Sequence, residues 1–458
     1  MQRIMLVAVI VLASAGVIQA ATVYGDWTGA SDPQNFDWED ADNWETDDVP
    51  GSTADQWRVR FTNAGTEGDL NINVAVHRDV YMLARNADYA GTLTFQGAGS
   101  LGTVPNGRIS NGNIWGSSLE LPAGTSMVFD VPVQVATYIY SPEEDGVIIF
   151  NQSLGQGEDY RPSLTCENGG KIVFNADSNR QDLMIFASNA HVVANSPSAL
   201  GAGGIRVSGN DNISTLELGA DVTLGGGIDI GYSGTANVDA ELRVRVKSGS
   251  DTDQTLTIPG NISIGGNSTL VIQDDPDGGT GKTTVKIADQ NGFGSRCYAD
   301  VDIAAGNQLV YEDQEQGDQI ILHGTISGAG TVVVQNGTDH LTSLPVTNAA
   351  IQVREHVDYG TGQLSDTGTL LLKADTRFDM NGLGNQTLGT LAGNGTVRLG
   401  GLTDTMTLLE GLTPGESVGT LTVEEAGTLI LGAASKSVFE LDGLGGPNDQ
   451  VVMTSSAA

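Results

Sequence analysis

The chain is poor in aromatic, charged and proline residues. Of its 458 residues, 5% are aromatic, 17% are charged and only 13 are proline, whereas glycine accounts for 62. We find no convincing helical period in the hydrophobic pattern beyond the N-terminus. Low charge together with abundant Gly, Thr, Asn and Ser favours stacked short strands joined by polar turns, and disfavours a helical protein.

Basic residues are also scarce. The chain has 21 Lys and Arg against 56 Asp and Glu, which gives a net charge of −35 at pH 7. A surface of this sign repels nucleic acid and anionic membranes, so we expect neither as a partner. The acidic residues are scattered along the chain, and their pattern therefore does not predict disorder.

Cysteine is limited to Cys166 and Cys297, which lie 131 residues apart. In a straight solenoid with ~22 residues per coil and ~4.8 Å between stacked strands, this separation is roughly 28 Å. A disulfide needs Cα atoms within ~7 Å of each other. We therefore predict two unpaired, largely buried thiols.

Long apolar runs are confined to the N-terminus. Arg3 supplies a positive charge, residues 4–17 form an apolar core, and Ile18-Gln19-Ala20 offers a cleavage site. The run is shorter than the ~20 apolar residues that span a bilayer. Residues 1–20 therefore predict a cleaved signal peptide rather than a membrane anchor, and an extracellular or cell-surface location. No later segment is suited to cross a bilayer as a helix.

A short strand-forming motif, here called the glycine phrase, recurs along the chain, and each copy begins with glycine. Its copies are Gly91-Thr-Leu-Thr-Phe, Gly330-Thr-Val-Val-Val, Gly368-Thr-Leu-Leu-Leu, Gly395-Thr-Val-Arg-Leu, Gly419-Thr-Leu-Thr-Val and Gly427-Thr-Leu-Ile-Leu. Looser copies begin at Gly324 and Gly389. Recurrence at roughly 20 to 40 residues predicts an all-β solenoid with variable loops, of roughly 17 coils and about 80 Å. Asn-Gly pairs between the strands are also compatible with hairpins in a β-sandwich.

Residues 21–60 have a composition of their own. Four of the five tryptophans lie here, at Trp27, Trp38, Trp44 and Trp57. A solenoid has an open end whose strand edge and apolar interior need covering, so we predict a Trp-rich N-terminal cap. The functional alternative is a sugar-stacking platform that includes Trp38 and Trp44, with bound calcium.

The C-terminal stretch carries a family resemblance. Leu412-Thr-Pro-Gly, Gly419-Thr-Leu-Thr-Val, Phe439-Glu-Leu-Asp-Gly and Asp449-Gln-Val-Val follow one another, and together they resemble the passenger repeats of autotransporter-associated β-strand proteins. The resemblance implies a right-handed parallel β-helix, single-stranded, exported and often attached to a surface. A C-terminal translocator barrel is missing and the pattern stops midway at Ala458, so we expect residues 61–458 to be a truncated β-helix domain.

The only dense basic cluster is Glu241-Leu-Arg-Val-Arg-Val-Lys247. Strand alternation places Arg243, Arg245 and Lys247 on one face, where a polyanionic sugar could dock. The structural alternative is cross-strand pairing with acidic residues of adjacent coils.

Three aspartates in one turn, Asp274, Asp275 and Asp277, form a weak calcium candidate, because carboxylate oxygens are the ligands that calcium prefers. A solvated turn is the alternative. The following Gly281-Lys-Thr does not complete a phosphate-binding loop, since Pro276 occupies its first glycine position and no helix pattern follows.

Catalytic signatures are missing from the sequence. The five histidines are dispersed without metal-ligand spacing. The sequence Gly415-Glu-Ser-Val-Gly419 is not followed by the helix pattern that a nucleophile elbow needs. We therefore predict a monomeric structural or adhesive protein without a cofactor other than calcium, whose partners are extracellular polysaccharide or other surface proteins. The alternative is a polysaccharide lyase or glycoside hydrolase, which a compact cluster of titratable residues on one sheet would indicate.

Overall fold

The structure is a computed structural model, and it describes the chain in segments. These are residues 22–27, 37–45, 48–51, 56–61, 69–85, 91–110, 125–134, 138–141, 146–155, 163–166, 169–178, 183–209, 211–231, 239–289, 296–313, 319–336, 350–353, 355–356, 360–361, 363–380, 384–415, 418–425, 427–441 and 448–454. The predicted signal peptide lies outside the described residues.

Strands are numbered in chain order. The first fifteen are β1 (Thr22–Trp27), β2 (Gln56–Phe61), β3 (Leu70–Asn73), β4 (Arg78–Arg85), β5 (Thr92–Gln96), β6 (Leu101–Ser110), β7 (Ser126–Phe129), β8 (Val133–Gln134), β9 (Tyr138–Ser141), β10 (Val147–Phe150), β11 (Leu154–Gly155), β12 (Ser163–Cys166), β13 (Lys171–Phe174), β14 (Met184–Phe186) and β15 (His191–Ala194). A single 3-10 turn, Ala41–Asn43, is the only helical element of the described residues.

The middle of the chain contains fifteen more strands. These are β16 (Ile205–Val207), β17 (Asn212–Leu218), β18 (Val222–Thr223), β19 (Ile228–Ile230), β20 (Ala240–Val246), β21 (Gln254–Ile258), β22 (Ile262–Ile264), β23 (Thr269–Ile272), β24 (Thr283–Asp289), β25 (Arg296–Cys297), β26 (Asp300–Ile303), β27 (Gln308–Asp313), β28 (Gln319–Leu322), β29 (Ile326–Ser327) and β30 (Thr331–Asn336).

Twelve strands complete the described chain. These are β31 (Ala350–Val353), β32 (Glu355–His356), β33 (Gly360–Thr361), β34 (Thr369–Leu372), β35 (Arg377–Asp379), β36 (Asn385–Gly393), β37 (Thr396–Arg398), β38 (Thr405–Pro414), β39 (Thr420–Glu424), β40 (Thr428–Leu431), β41 (Lys436–Ser437) and β42 (Gln450–Thr454).

The strands form three long sheets, here named A, B and C. Sheet A has 19 strands from β1 to β42, sheet B has 11 strands from β3 to β29, and sheet C has 10 strands from β18 to β41. Every described ladder of these three sheets is parallel, as in the pairing of β10 with β13, and among the described residues only the small β32–β33 ladder is antiparallel. The all-β prediction is confirmed, and the parallel ladders disagree with the hairpin alternative. No helix of the described residues is long and apolar enough to span a bilayer.

Sheet A carries a continuous path of 17 described strands, in which each strand pairs with the next along β1-β2-β4-β6-β9-β12-β14-β16-β19-β22-β25-β28-β31-β35-β37-β39-β42. At ~4.8 Å per rung, the path is about 77 Å long. In-register partners are separated by 20 residues at Ile172↔Val192 and by 38 residues at Val332↔Leu370. The architecture is therefore solenoid-like, with coils of unequal length.

The order in which successive strands join sheets A, B and C changes twice along the chain. Strands alternate between sheets A and B up to β15, visit A, B and C in turn from β16 to β30, and alternate mainly between A and C from β34 onwards. Inward-facing side chains from all three sheets form one apolar cluster that extends from Trp27 to Val423. Each coil therefore buries its apolar face against its neighbours, as a solenoid requires.

A ladder of phenylalanines runs through the interior of sheet B. Phe95, Phe129, Phe150 and Phe174 occupy the same register position of consecutive strands. The centroids of consecutive rings are 5.0, 5.1 and 5.3 Å apart. The rings are stacked nearly parallel, with interplanar angles of 10 to 14°. Parallel pairing in register makes this stack possible, because it places like side chains directly above one another.

An amide ladder follows the phenylalanine ladder at the adjoining corner. Asn151 Nδ2 donates to Asp130 Oδ1 at 2.7 Å, Asn175 Nδ2 to Asn151 Oδ1 at 2.6 Å, and Asn195 Nδ2 to Asn175 Oδ1 at 2.6 Å. Gly219 comes next, and a Cβ there would lie 1.9 Å from Asn195 Oδ1. The glycine ends the ladder because no side chain fits between the corners.

All six full copies of the glycine phrase are strands, and each strand begins at the threonine after the glycine. The opening glycines are needed for close packing between coils. A Cβ on Gly330 would lie 2.2 Å from Ile303 Cγ2, and a Cβ on Gly395 would lie 2.7 Å from Leu372 Cβ. Neither glycine has a positive φ, so close packing rather than a left-handed backbone accounts for glycine at these two positions.

The tryptophan-rich segment packs at the N-terminal end of the sheets. Strands β1 and β2, which lie largely within residues 21–60, are the first two of sheet A, and Asp37 forms a parallel bridge with Asn73 of sheet B. The main-chain N–H of Trp38 donates to Asn73 O at 2.9 Å. This bridge places Trp38 below the first coil of sheet B, where its ring centroid lies 6.3 Å from that of Phe95.

The last described coils are less buried than those before them. Leu431 of β40 is 48% exposed, although its register partner Leu408 in β38 is fully buried. Met453 of β42 is 59% exposed. The apolar interior is thus packed at the tryptophan end and partly open to solvent at the other end of the described chain.

Both cysteines are unpaired and buried, which confirms the prediction for the thiols. Cys166 belongs to β12 and Cys297 to β25, two strands of sheet A that are several coils apart. Burial raises the pKa of each thiol to about 12, because a thiolate would be formed without solvation.

The phenylalanine ladder leads to a prediction on stability. Phe150→Ala should lower the free energy of unfolding by about 3–5 kcal/mol, because it leaves a cavity between two stacked rings. Urea unfolding measures this change. Phe439→Ala, at a position that is 44% exposed, is the matched control and should change stability by less than about 0.5 kcal/mol. Equal effects of both variants would contradict the role of the ladder.

The thiols lead to a second prediction. In the native protein, neither Cys166 nor Cys297 should react with a thiol reagent such as DTNB at pH 8, since both are buried with raised pKa. In denaturant, both thiols should react without prior reduction. Titration of the released chromophore provides the measurement, and a requirement for reductant would show a disulfide instead.

Candidate functional site

The basic cluster on β20 is largely engaged with acidic residues. Arg243 forms an ion pair with Glu241 of the same strand and keeps 39% of its side chain exposed. Arg245 is buried and pairs with Glu217 of the preceding coil, whereas Lys247 is exposed just after the strand. Leu242, Val244 and Val246 are buried in the interior. Apolar inward-facing residues thus alternate with the basic residues, as the sequence indicated.

Arg245 belongs to a compact group of titratable side chains on sheet B. Glu217 Oε1 lies 2.8 Å from His191 Nε2 and accepts a hydrogen bond from Arg245 Nη2 at 2.6 Å. The exposed fractions of the three side chains are 2% for Glu217, 11% for Arg245 and 18% for His191. A compact cluster of titratable side chains on one sheet is the feature that would indicate an enzyme. In this cluster, however, the side chains are mostly buried.

The carboxyl of Glu217 is held in its charged form. Burial would raise its pKa, but the hydrogen bond and charge of His191, the charge of Lys171 and the hydrogen bond from Arg245 lower the pKa to about 2. Glu217 is therefore paired with His191 of the coil before it and with Arg245 of the coil after it. This is the arrangement expected of a buried carboxylate.

The tryptophans of the predicted sugar platform face the interior. Trp38 and Trp44 are 0% and 1% exposed, and their ring centroids are 4.9 Å apart. Trp44 also contacts Trp27 edge to face at 4.9 Å, and its Nε1 donates to Trp38 O at 2.9 Å. The faces of both rings are thus covered by other aromatic rings of the chain rather than presented to a ligand.

The aspartates of the calcium candidate accept hydrogen bonds from protein groups. Asp274 Oδ1 is bound by Lys282 Nζ at 2.8 Å, and the two oxygens of Asp275 are bound by three main-chain N–H groups at 2.6 to 3.1 Å. Ser248 Oγ donates to Asp277. Among the described residues, no group of three or more His, Cys, Asp or Glu side chains is placed to share a metal ion.

A cleft of about 390 Å³ opens where sheet B ends. Strand β29 is the last described strand of this sheet, and the next described coil pairs with it through the main-chain bridge between Thr325 and Gln363. The first residues of β36 form the far wall, one coil further on. The lining residues are Thr325, Ile326, Ser327, Gly328, Gln363, Leu364, Ser365, Asp366, Asn385, Gln386 and Thr387.

Side chains as well as main-chain groups link the coils beside the cleft. The hydroxyls of Ser365 and Thr367 both donate to Gly328 O, the latter at 3.1 Å. The main-chain N–H of Leu364 donates to the side-chain oxygen of Gln386 at 3.3 Å. Main-chain bonds continue on both sides, from Ile326 N to Gln363 O at 2.8 Å and from Thr369 N to Gly330 O at 3.1 Å.

The lining is polar and almost uncharged. Ile326 and Leu364 are buried and provide an apolar floor, while Ser327, Gln363, Asn385 and Thr387 are exposed along the walls. Of the described lining residues, Asp366 alone carries a charge. Hydroxyl and amide groups both donate and accept hydrogen bonds, and the volume lies within the ~300–1,000 Å³ of small-molecule sites. The cleft is therefore suited to a neutral ligand rich in hydroxyl groups.

Sequence reasoning did not single out the cleft residues. One of the two shortened copies of the glycine phrase, Gly324-Thr-Ile-Ser-Gly, lies beside the cleft, and its fifth residue is glycine where the full copies have a large apolar residue. In the structure, β29 contains only Ile326 and Ser327, and the cleft begins beside it. The other shortened copy, at Gly389, lies within strand β36 in the middle of sheet C, so a shortened copy by itself does not mark the end of a sheet.

Comparison of the chain with protein-family models, with curated proteins and with solved structures returned no match. The resemblance to autotransporter-associated β-strand repeats therefore stays a prediction.

The buried cluster on sheet B predicts a specific pH dependence. The pKa of Glu217 is about 2 in the folded chain, below its ordinary value of 4.5, so its contribution is complete above pH 4.5 and is lost as the pH falls towards 2. The contribution is on the order of 3 kcal/mol. In urea unfolding, Glu217→Gln should be less stable than the wild type at pH 6, and the difference should shrink at pH 3.

Glu241→Gln is the matched control for this prediction, because Glu241 lies on the adjacent strand and pairs with the half-exposed Arg243. Its effect on stability should stay below about 1 kcal/mol. A stability difference for Glu217→Gln that does not vary between pH 6 and pH 3 would contradict the assignment of a paired carboxylate.

Proposed function

We propose that the chain is an exported structural or adhesive protein without a catalytic role, which acts at the cell surface or in an extracellular matrix. The observation that supports the proposal is the uninterrupted path of 17 strands in the described part of sheet A. A solenoid of this length offers a long outward surface on which weak contacts are repeated. Repeated weak contacts add up to firm attachment when several engage at once.

We infer that the coils wind as a right-handed parallel β-helix of the type found in autotransporter-associated β-strand proteins. Parallel strands that are joined by a crossover connection are right-handed in about 98% of cases. The glycine phrase and its C-terminal copies support the family resemblance. The tryptophan-rich segment fits the role of an N-terminal cap, since it packs at the first coil with its rings buried.

The partners proposed are extracellular polysaccharides or other surface proteins. The net charge of −35 disfavours nucleic acid and anionic membranes as partners, and the N-terminal signal pattern supports export. A mature chain that is monomeric and not inserted in a membrane is consistent with these features. Calcium enters this proposal as an ion that bridges the acidic surface to a partner, and not as a bound cofactor.

A second candidate function is supported by the cluster on sheet B. His191 lies 2.8 Å from the charged Glu217, with Arg245 beside it and Lys171 close enough to lower the pKa of the carboxyl. A histidine oriented by a carboxylate is a common general base, and neighbouring cations favour anionic sugars. This arrangement would suit a polysaccharide-active enzyme of the lyase type. The burial of Glu217 and Arg245 makes the scaffold the better supported function.

A combined retention and cleavage assay tests the two functions. The purified chain is mixed with neutral and acidic polysaccharides, first with calcium and then with a chelator. We expect retention of the protein on at least one polysaccharide without new reducing or unsaturated chain ends. Loss of retention with chelator would place calcium in the contact.

New chain ends would contradict the scaffold and support the enzyme, and His191→Ala should then abolish cleavage while retention persists. His77→Ala is the control, since His77 is an exposed histidine of the first coils and contacts Ser100 and Asp79 rather than the cluster. Absence of both retention and cleavage over the whole panel would contradict an adhesive role towards polysaccharides.

A further inference from the structure

We propose that the cleft at the end of sheet B binds a short segment of an uncharged polysaccharide. The proposal rests on the proposed adhesive function and adds to it a site and a ligand class. It also places recognition away from the basic cluster at Arg243, Arg245 and Lys247, which lies on earlier coils.

The shape of the cleft fits an extended chain. Its walls come from three consecutive coils, with Thr325 to Gly328, Gln363 to Asp366 and Asn385 to Thr387. At ~4.8 Å per coil, the outer walls are roughly 10 Å apart. A volume of about 390 Å³ accommodates a short glycan segment, and the cleft is open to the solvent face of the sheet, so the chain can continue beyond it.

The hydrogen-bonding groups select for hydroxyl-rich ligands. Gln363, Asn385 and Thr387 are exposed side chains that both donate and accept, as sugar hydroxyls do. A purely apolar ligand would leave these groups unpaired when it displaced their water, which is unfavourable for each group. The apolar floor of Ile326 and Leu364 suits the C–H face of a sugar ring.

Charge selects against anionic ligands. Asp366 is the single charged residue among the described lining residues, and the whole chain carries a net charge of −35. A uronate or a sulfated sugar would meet a like charge in the cleft and over the surrounding surface. Between uncharged and anionic polysaccharides, the cleft therefore favours the uncharged class.

Affinity at one cleft should be low. None of the described lining residues is aromatic, so the stacking that strengthens many sugar contacts is missing. A dissociation constant near the millimolar range corresponds to about 4 kcal/mol. Such a site functions in attachment when many copies of the protein engage one polymer, which agrees with a surface or matrix protein.

The test is retention of the full chain on uncharged polymers. Dextran, galactomannan and soluble starch are the probes, and alginate is the anionic comparison. The double variant Gln363→Ala/Asn385→Ala removes two amides from the walls and leaves main-chain pairing intact, and Thr387→Trp fills the cleft. We expect at least a fivefold loss of retention on the uncharged polymer for both variants.

Asn71→Ala/Gln134→Ala is the matched control, because it removes the same two amide types from exposed positions of β3 and β8, far from the cleft. It should retain wild-type binding, and circular dichroism should show the same strand content in all variants. Wild-type retention by the cleft variants would overturn the assignment of the cleft as the binding site, but it would not contradict the adhesive function. Retention on alginate alone would overturn the ligand class, and no retention on any polymer would overturn both the cleft and an adhesive role towards polysaccharides.

Discussion

The parallel main-chain ladder between consecutive coils is the interaction on which the rest of the structure depends. Each strand has hydrogen-bonding partners only in the coil before and the coil after it, so every residue is placed by its register with two neighbours. The phenylalanine stack from Phe95 to Phe174 and the amide ladder from Asp130 to Asn195 both follow from that register. Glycine is required wherever successive coils approach too closely for a Cβ, as at Gly330.

The same constraint explains how charge is accommodated in a chain with so few basic residues. A charged side chain on a strand lies within reach of residues one coil away. Arg245 pairs in this way with Glu217, its register partner on the adjacent strand. The acidic partner in turn lies beside His191 of the coil before. Of the three cations of the basic cluster, Arg245 is thereby held in a cross-coil pair, Arg243 pairs within its own strand, and Lys247 stays exposed.

The cleft shows what happens where the ladder is interrupted. Sheet B ends at β29, and the following coil is held by hydroxyl and amide side chains rather than by a full set of main-chain rungs. These side chains lie along the cleft, whose walls belong to three consecutive coils. The hydroxyl and amide groups that link the coils therefore also contribute to the polar lining of the site proposed for recognition.

The sequence by itself determined the all-β class, the strand positions of the glycine phrase and the burial of the two cysteines. These features depend on local patterns, namely alternation, turn residues and the large sequence separation of Cys166 and Cys297. Only the tertiary structure decided which coil lies beside which, because loops of unequal length set the register. It therefore decided the pairing of Arg245, the covering of Trp38 and Trp44, and the cleft beside β29, since each depends on contacts between residues about 20 to 40 positions apart.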